Sequence, residues 1–156
     1  MVRETTDRRT FVTLLYTLID FDLGTVTVAS AGHPPPIVYR GSTGEATFLE
    51  QSAPPLGTRL NARYGQSCSS FEVGDVLLLY TDGLTETLDH HDDPYGAERL
   101  EARFSSVAAQ RTAREIRESI LSDLWNHKGN SEQQDDITLV VVKRRDPGDD
   151  ESKFEA

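Results

Sequence analysis

The pattern of apolar and polar positions starts with Phe11 to Ile19 (FVTLLYTLI), a run rich in strand-favouring residues. Asp22-Leu23-Gly24 supplies a turn signal. Thr25 to Ala31 alternates Thr with Val, then Ala with Ser, the period of a half-buried strand. Gly32-His33-Pro34-Pro35-Pro36 must end it, because proline has no N–H to give to a ladder. Ile37 to Arg40 reads as a short strand, Gly41 to Gly44 as a turn and Thr47 to Glu50 as another extended piece, before a proline-containing loop from Ala53 to Gly57. Tyr64 to Val73 reads as a strand and Gly74-Asp75 as a tight turn. Val76 to Thr81 (VLLLYT), without alternation, reads as a strand buried on both faces.

The period then changes. Ala97, Leu100, Phe104 and Val107 fall on one helical face, and Ala113, Ile116, Ile120 and Leu124 on another. Thr112 and Glu115 have capping-box spacing at the start of the second helix, and Gly129 lies just past its end. Ile137 to Lys143 (ITLVVVK) reads as a last buried strand. Strands, then two helices, then a strand predict an α+β fold with antiparallel sheet. No internal repeat is present. Residues 1–10 form a charged leader, 11–145 the folded portion, and the charged tail from 146 to 156 is expected to be disordered.

Composition narrows the function classes. The 156 residues suit one domain with one core, and 37% hydrophobic with 27% charged residues fits a folded soluble chain. Twenty-six acidic against 16 basic residues give a net charge of -10, which repels nucleic acid and anionic membrane. A single cysteine, Cys68, excludes an intrachain disulfide and fits a reducing cytoplasm; it is read as a buried or strand residue. Residues 1–10 carry no apolar signal region, and no apolar run approaches the ~20 residues of a membrane span. A cytoplasmic location is expected.

Two carboxylate positions stand out. Asp82 closes the strand VLLLYT and precedes Gly83; Asp135 and Asp136 stand just before ITLVVV. If these strands pair antiparallel, the end of one meets the start of the other, and Asp82 joins Asp135 at one sheet edge. Carboxylates gathered there repel unless neutralised, which hard divalent cations do with oxygen ligands. An Asp-Gly after a strand also serves as an ordinary turn, and paired Asp before a strand as solvated loop, so spacing alone leaves both readings open. His33, fixed by the prolines after it, could orient a site or be a surface histidine. His90 and His91, beside Asp89, Asp92 and Asp93, read as an exposed loop. A P-loop, a Gly-x-Ser-x-Gly elbow and a Gly-rich kinase loop are all missing.

Taken together, several segments resemble the SpoIIE/RsbU branch of the metal-dependent PPM (type-2C) phosphatases. They are Phe11-Val12-Thr13-Leu14, Ala31-Gly32-His33-Pro34-Pro35-Pro36, Pro55-Leu56-Gly57, Val73-Gly74-Asp75-Val76, Tyr80 to Glu86 (YTDGLTE), Tyr95-Gly96 with Arg99-Leu100, and Asp135 to Leu139 (DDITL). The resemblance covers roughly residues 11 to 144 and implies an α-β-β-α sandwich of two mostly antiparallel sheets flanked by helices. It implies a protein serine/threonine phosphatase in which two Mn²⁺ or Mg²⁺ ions activate water for in-line attack on phosphorus. By motif, Asp82 and Asp135 resemble its catalytic metal ligands, and Glu86 a further acid near the metals. Gly83, Asp136 and His33 become neighbours of the site. His33 stands where other members of the superfamily have an Asp that serves a third metal. The implied substrate is a phosphorylated regulator of the anti-anti-sigma type. The family's upstream Asp-x-Ser-Gly-His-Gly motif has no counterpart in residues 1–10, where Asp7 precedes Arg8-Arg9. The expected extent is therefore the C-terminal portion of the domain, N-terminally truncated. The rival expectation is a catalytically inactive module that binds a regulatory partner.

Overall fold

The computed structural model describes residues 11–50, 53–58, 62–109 and 111–146. The charged leader and all of the expected disordered tail except Asp146 lie outside them. The strands are β1 (Leu14–Asp20), β2 (Thr25–Ala31), β3 (Ile37–Arg40), β4 (Glu45–Phe48), β5 (Ser67–Ser70), β6 (Val76–Tyr80) and β7 (Leu139–Lys143). The helices are α1 (Asp82–Thr85), α2 (Ala97–Ala108) and α3 (Ala113–Lys128).

The strands form two antiparallel sheets, ordered β1-β2-β5 and β4-β3-β6-β7. Side chains alternate across each strand, so β6 feeds two cores. Leu77, with Leu79 packed against it, joins Val26, Val28, Val38 and Phe71 between the sheets. Val76, Leu78 and Tyr80 face the other way, onto Leu84, Leu100, Phe104, Ile116, Ile120 and Leu124 of the helices. This double burial explains the unbroken apolar run of β6. Among the described residues, helices cover only the four-stranded sheet. The opposite face of β1 leaves Leu14, Tyr16 and Leu18 about half exposed, at 49%, 58% and 53%.

The helices follow local signals. Thr112 caps α3: its hydroxyl accepts from the Glu115 N–H, and the Glu115 carboxylate accepts from the Thr112 N–H at 2.8 Å. Lys143 closes the C-terminal end of α2 by donating to the carbonyls of Ala108, Ala109 and Arg111. At the β6 start, the buried Asp75 carboxylate accepts from the backbone of Gly41 and Glu72 and from Arg40 Nη1 at 2.8 Å. One side chain thereby fixes two turns and the end of β3.

Several sequence expectations need correction. The strand expected over Tyr64 to Val73 is only Ser67–Ser70, the four residues that pair with Thr25 to Val28 of β2. The first strand starts at Leu14, with Val12 making only an isolated bridge to Leu56. The last strand starts at Leu139 and is half-buried rather than buried, since β7 is a sheet edge and Val140 is 44% exposed. Ala97 is exposed, and Ala108 takes the buried place at the other end of α2. Cys68 lies in β5, as a strand residue, and is exposed.

Candidate functional site

The site region is built by the pairing of β6 with β7. Their register sets Tyr80 against Leu139, which carries the chain after β6 and the chain before β7 to the same sheet end. Thr81 locks them together. Its N–H donates to the Thr138 carbonyl at 3.1 Å, its hydroxyl donates to the Asp136 carbonyl at 3.2 Å, and it accepts from the Thr138 N–H at 2.9 Å. Thr81 occupies the N-cap position of α1, yet makes no side-chain cap bond, because its hydroxyl is engaged across the strand pair.

Gly83 brings the segments closer still. A Cβ on Gly83 would come within the 3.0 Å that real Cβ atoms keep from the Asp136 carbonyl oxygen. It would also stand 3.1 Å from the Asp136 carbonyl carbon and 3.4 Å from Asp135 Cβ. The Asp-Gly pair is thus the start of a one-turn helix pressed against the 135–136 segment, not an open turn. Asp82 and Asp135 are both exposed, and each caps its neighbour: Asp82 Oδ1 accepts from the Gly83 N–H and Asp135 Oδ1 from the Asp136 N–H. No ion pair among the described residues engages either one. Glu86 follows one helical turn after Asp82, its N–H bonded to the Asp82 carbonyl at 2.8 Å, and its side chain is exposed.

Two acids on adjoining segments form a donor set of hard oxygens suited to Mn²⁺ or Mg²⁺. Among the described residues, no three His, Cys, Asp or Glu side chains gather closely enough to hold an ion by themselves. In chemistry the two acids suit such a metal, and they supply only part of the ligand shell it needs.

His33 reaches this region from the crossover between the sheets. Its ring Nε2 lies 3.1 Å from the Tyr80 carbonyl, two residues before Asp82. A groove of about 470 Å³ opens beside it between β1 and the β6–β7 pair, lined by Thr13, Leu15, Thr17, Leu79 and Thr138 among others. Thr17 Oγ1, in that wall, is the one buried side-chain oxygen among the described residues without a hydrogen-bond partner.

Behind α1, residues 87–96 are tied down by a cluster that sequence reasoning missed. The Tyr95 N–H donates to the Thr87 carbonyl and the Gly96 N–H to the Thr85 carbonyl. The buried Tyr95 hydroxyl donates to Asp123 Oδ2 at 2.8 Å, and Arg99 grips both oxygens of Asp123 at 3.0 and 3.1 Å. Arg99 also lies over the Tyr95 ring and meets His127 Nδ1, while His127 Nε2 bonds the Asp93 carbonyl. Arg99 holds the Asp123 carboxyl below the usual carboxylate range, and burial pushes the Tyr95 phenol up. Burial, then the charge of Glu101, raises the Tyr80 phenol to about 12. The available signal was the i, i+4 spacing of Asp123 and His127 beside the apolar stripe of α3. His90 and His91 are exposed, with rings 3.7 Å apart, and the Asp89 carboxylate is taken up by the N–H groups of His91 and Asp93. That is the solvated loop expected.

No helix among the described residues is long and apolar enough to cross a membrane. The family model described as Stage II sporulation protein E (SpoIIE) matches residues 1–145. Protein IcfG of Synechocystis sp. is 30% identical over 138 residues, covering 88% of this chain and 21% of that protein. Phosphoserine phosphatase RsbU of Bacillus subtilis is 29% identical over 150 residues, covering 93% of this chain and 42% of that protein. The chain thus spans less than half the length of these relatives. Among solved structures, the RsbU and RsbW domains of Rv1364c from Mycobacterium tuberculosis align with a TM-score of 0.71 at 27% identity, covering 85% of this chain and 36% of that one.

Proposed function

This chain belongs to the Stage II sporulation protein E (SpoIIE) family of PPM-type phosphatase domains, and on that premise we propose that residues 11–145 are the later part of a metal-dependent protein serine/threonine phosphatase. The observation that carries the proposal is the meeting of Asp82 and Asp135 at one sheet end, enforced by the β6–β7 register and the close approach of Gly83 to Asp136. Asp82 and Asp135 would hold Mn²⁺ or Mg²⁺. When bound, such ions supply Lewis acidity and an activated water for in-line attack on a phosphoserine or phosphothreonine phosphorus. Glu86, one turn after Asp82 with an exposed side chain, would be a further acid near the metals, able to hold a metal-bound water. Thr81 and Gly83 keep the two acid-bearing segments in register throughout. Asp136 contributes its carbonyl to that lock rather than a ligand.

The proposed substrate is a phosphorylated regulatory protein of the anti-anti-sigma type. The relative named phosphoserine phosphatase RsbU supports a substrate that carries phosphoserine. The net charge of -10 weighs against nucleic acid as a partner. The lone cysteine supports a cytoplasmic setting.

A second reading is a non-catalytic module that binds a regulator. It is favoured by one observation: the described residues bring together only part of a metal-ligand shell. Hydrolysis of p-nitrophenyl phosphate with and without Mn²⁺ separates the two. Mn²⁺-dependent turnover lost in Asp82→Asn supports the phosphatase. A folded chain with no turnover under any metal supports the binding module.

A further inference from the structure

We infer that His33 is a positioning residue for the Asp82 segment, a strut that joins the crossover between the two sheets to the end of β6. The inference rests on the metal-site reading above and assigns His33 a part in it that does not involve touching an ion. Asp82 stands on a helix of four residues, Asp82–Thr85, too short to fix its own geometry. Its orientation therefore depends on what holds the chain on either side. Thr81 ties the segment to the strand before it forms β7, but both of those anchors lie within the β6–β7 pair. His33 is an anchor from outside that pair, through its bond to the Tyr80 carbonyl at 3.1 Å.

The turn that carries His33 is itself immobilised. Gly32 has φ +71°, and a Cβ there would collide with the Pro55 ring, so only glycine lets the turn seat against that proline. Ser30, 3% exposed, donates its hydroxyl to the His33 carbonyl at 3.1 Å and accepts from the His33 N–H at 3.3 Å. Pro34, Pro35 and Pro36 then fix φ on the far side. A backbone carbonyl can only accept, so Nε2 carries the proton in this bond. The imidazole is thus a rigid donor, held by one sheet's exit and aimed at the other sheet's acid-bearing end. Groups hydrogen-bonded to a metal ligand itself typically carry 10- to 100-fold in metal affinity; His33 acts one link further back, through the backbone that leads to Asp82, which sets its effect near the lower end.

The test compares wild type with His33→Phe, which has no donor, and His33→Gln, whose amide can still donate to Tyr80. Two readouts are taken: amide hydrogen exchange in the metal-free protein, and Mn²⁺ affinity by titration. The expected result for His33→Phe is at least roughly tenfold faster exchange at the Thr81, Leu84 and Glu86 amides, with the α3 amides unchanged, and roughly tenfold or more weaker Mn²⁺ binding. His33→Gln should recover most of both. Exchange and Mn²⁺ binding like wild type in His33→Phe would overturn the strut, as would failure of glutamine to rescue, or loss of protection spread evenly through α3. If wild type itself binds no Mn²⁺, the metal-site reading fails, and the exchange data alone decide whether His33 braces the segment.

Discussion

Replacing Gly83 with alanine tests how the two acid-bearing segments are held together. In an ordinary helix this change stabilises by about 1 kcal/mol, because alanine loses less backbone entropy. The φ of Gly83 is not positive, so alanine meets no backbone strain there. The steric term has the opposite sign. The new methyl would crowd the Asp136 carbonyl oxygen inside 3.0 Å and stand 3.1 Å from its carbon. That oxygen is a backbone atom held by the Thr81 hydroxyl, so it cannot swing aside as the end of a flexible side chain does. Overpacking of this kind costs ~1–3 kcal/mol. With the helical gain of about 1 kcal/mol subtracted, a net loss of about 0–2 kcal/mol is expected, or at most ~4–8 °C in Tm for a chain of this size. Relief requires the segments to part, which moves Asp82 away from Asp135, so Mn²⁺ affinity should fall further than stability alone accounts for. Calorimetry with and without Mn²⁺ reads both. A Gly83→Ala protein more stable than wild type, with unchanged Mn²⁺ affinity, would refute the close-approach argument.

Three further outcomes follow from other residues. Tyr95→Phe removes the hydroxyl that donates to Asp123; because Arg99 still holds that carboxylate, the loss should be about 1 kcal/mol, seen as a lower urea midpoint with unchanged slope. Asp123, with its folded-state proton affinity depressed by Arg99, stabilises above its unfolded pKa of ~3.9 and loses that contribution as pH falls through its lower folded value. Thermal melts of wild type should therefore fall more steeply below pH ~4 than those of Asp123→Asn, and parallel curves would contradict the pairing. Thr17→Val replaces a buried, unpartnered hydroxyl with a methyl of similar size and should raise stability by about 1 kcal/mol, whereas a loss would mean that the hydroxyl has a partner in solution.

Much of this architecture was legible because it is local. The Thr-Val alternation of β2, the capping box at Thr112 and the apolar stripe of α3 each depend on neighbours a few residues away. The convergence of Asp82 and Asp135 was legible too, because two strongly apolar strands flank them and antiparallel pairing leaves one arrangement. What escaped depends on distant partners. Nothing near Tyr95 in sequence announces Asp123, 28 residues later, since a buried phenol needs a partner but does not name it. The flanks of β5 looked like strand because their residues tolerate it, yet only four found a neighbour to pair with. β7 read as buried from its valines, although its place at a sheet edge leaves Val140 open.

The central claim is that Asp82 and Asp135 act as one divalent-metal site, and titration calorimetry with Mn²⁺ on wild type, Asp82→Asn, Asp135→Asn and the double variant tests it most directly. Each single variant should weaken Mn²⁺ binding by tenfold or more, and the double variant by less than the product of the two, as expected of ligands that share an ion. Mn²⁺ binding that survives in the double variant at wild-type strength would place the ion elsewhere and contradict the account.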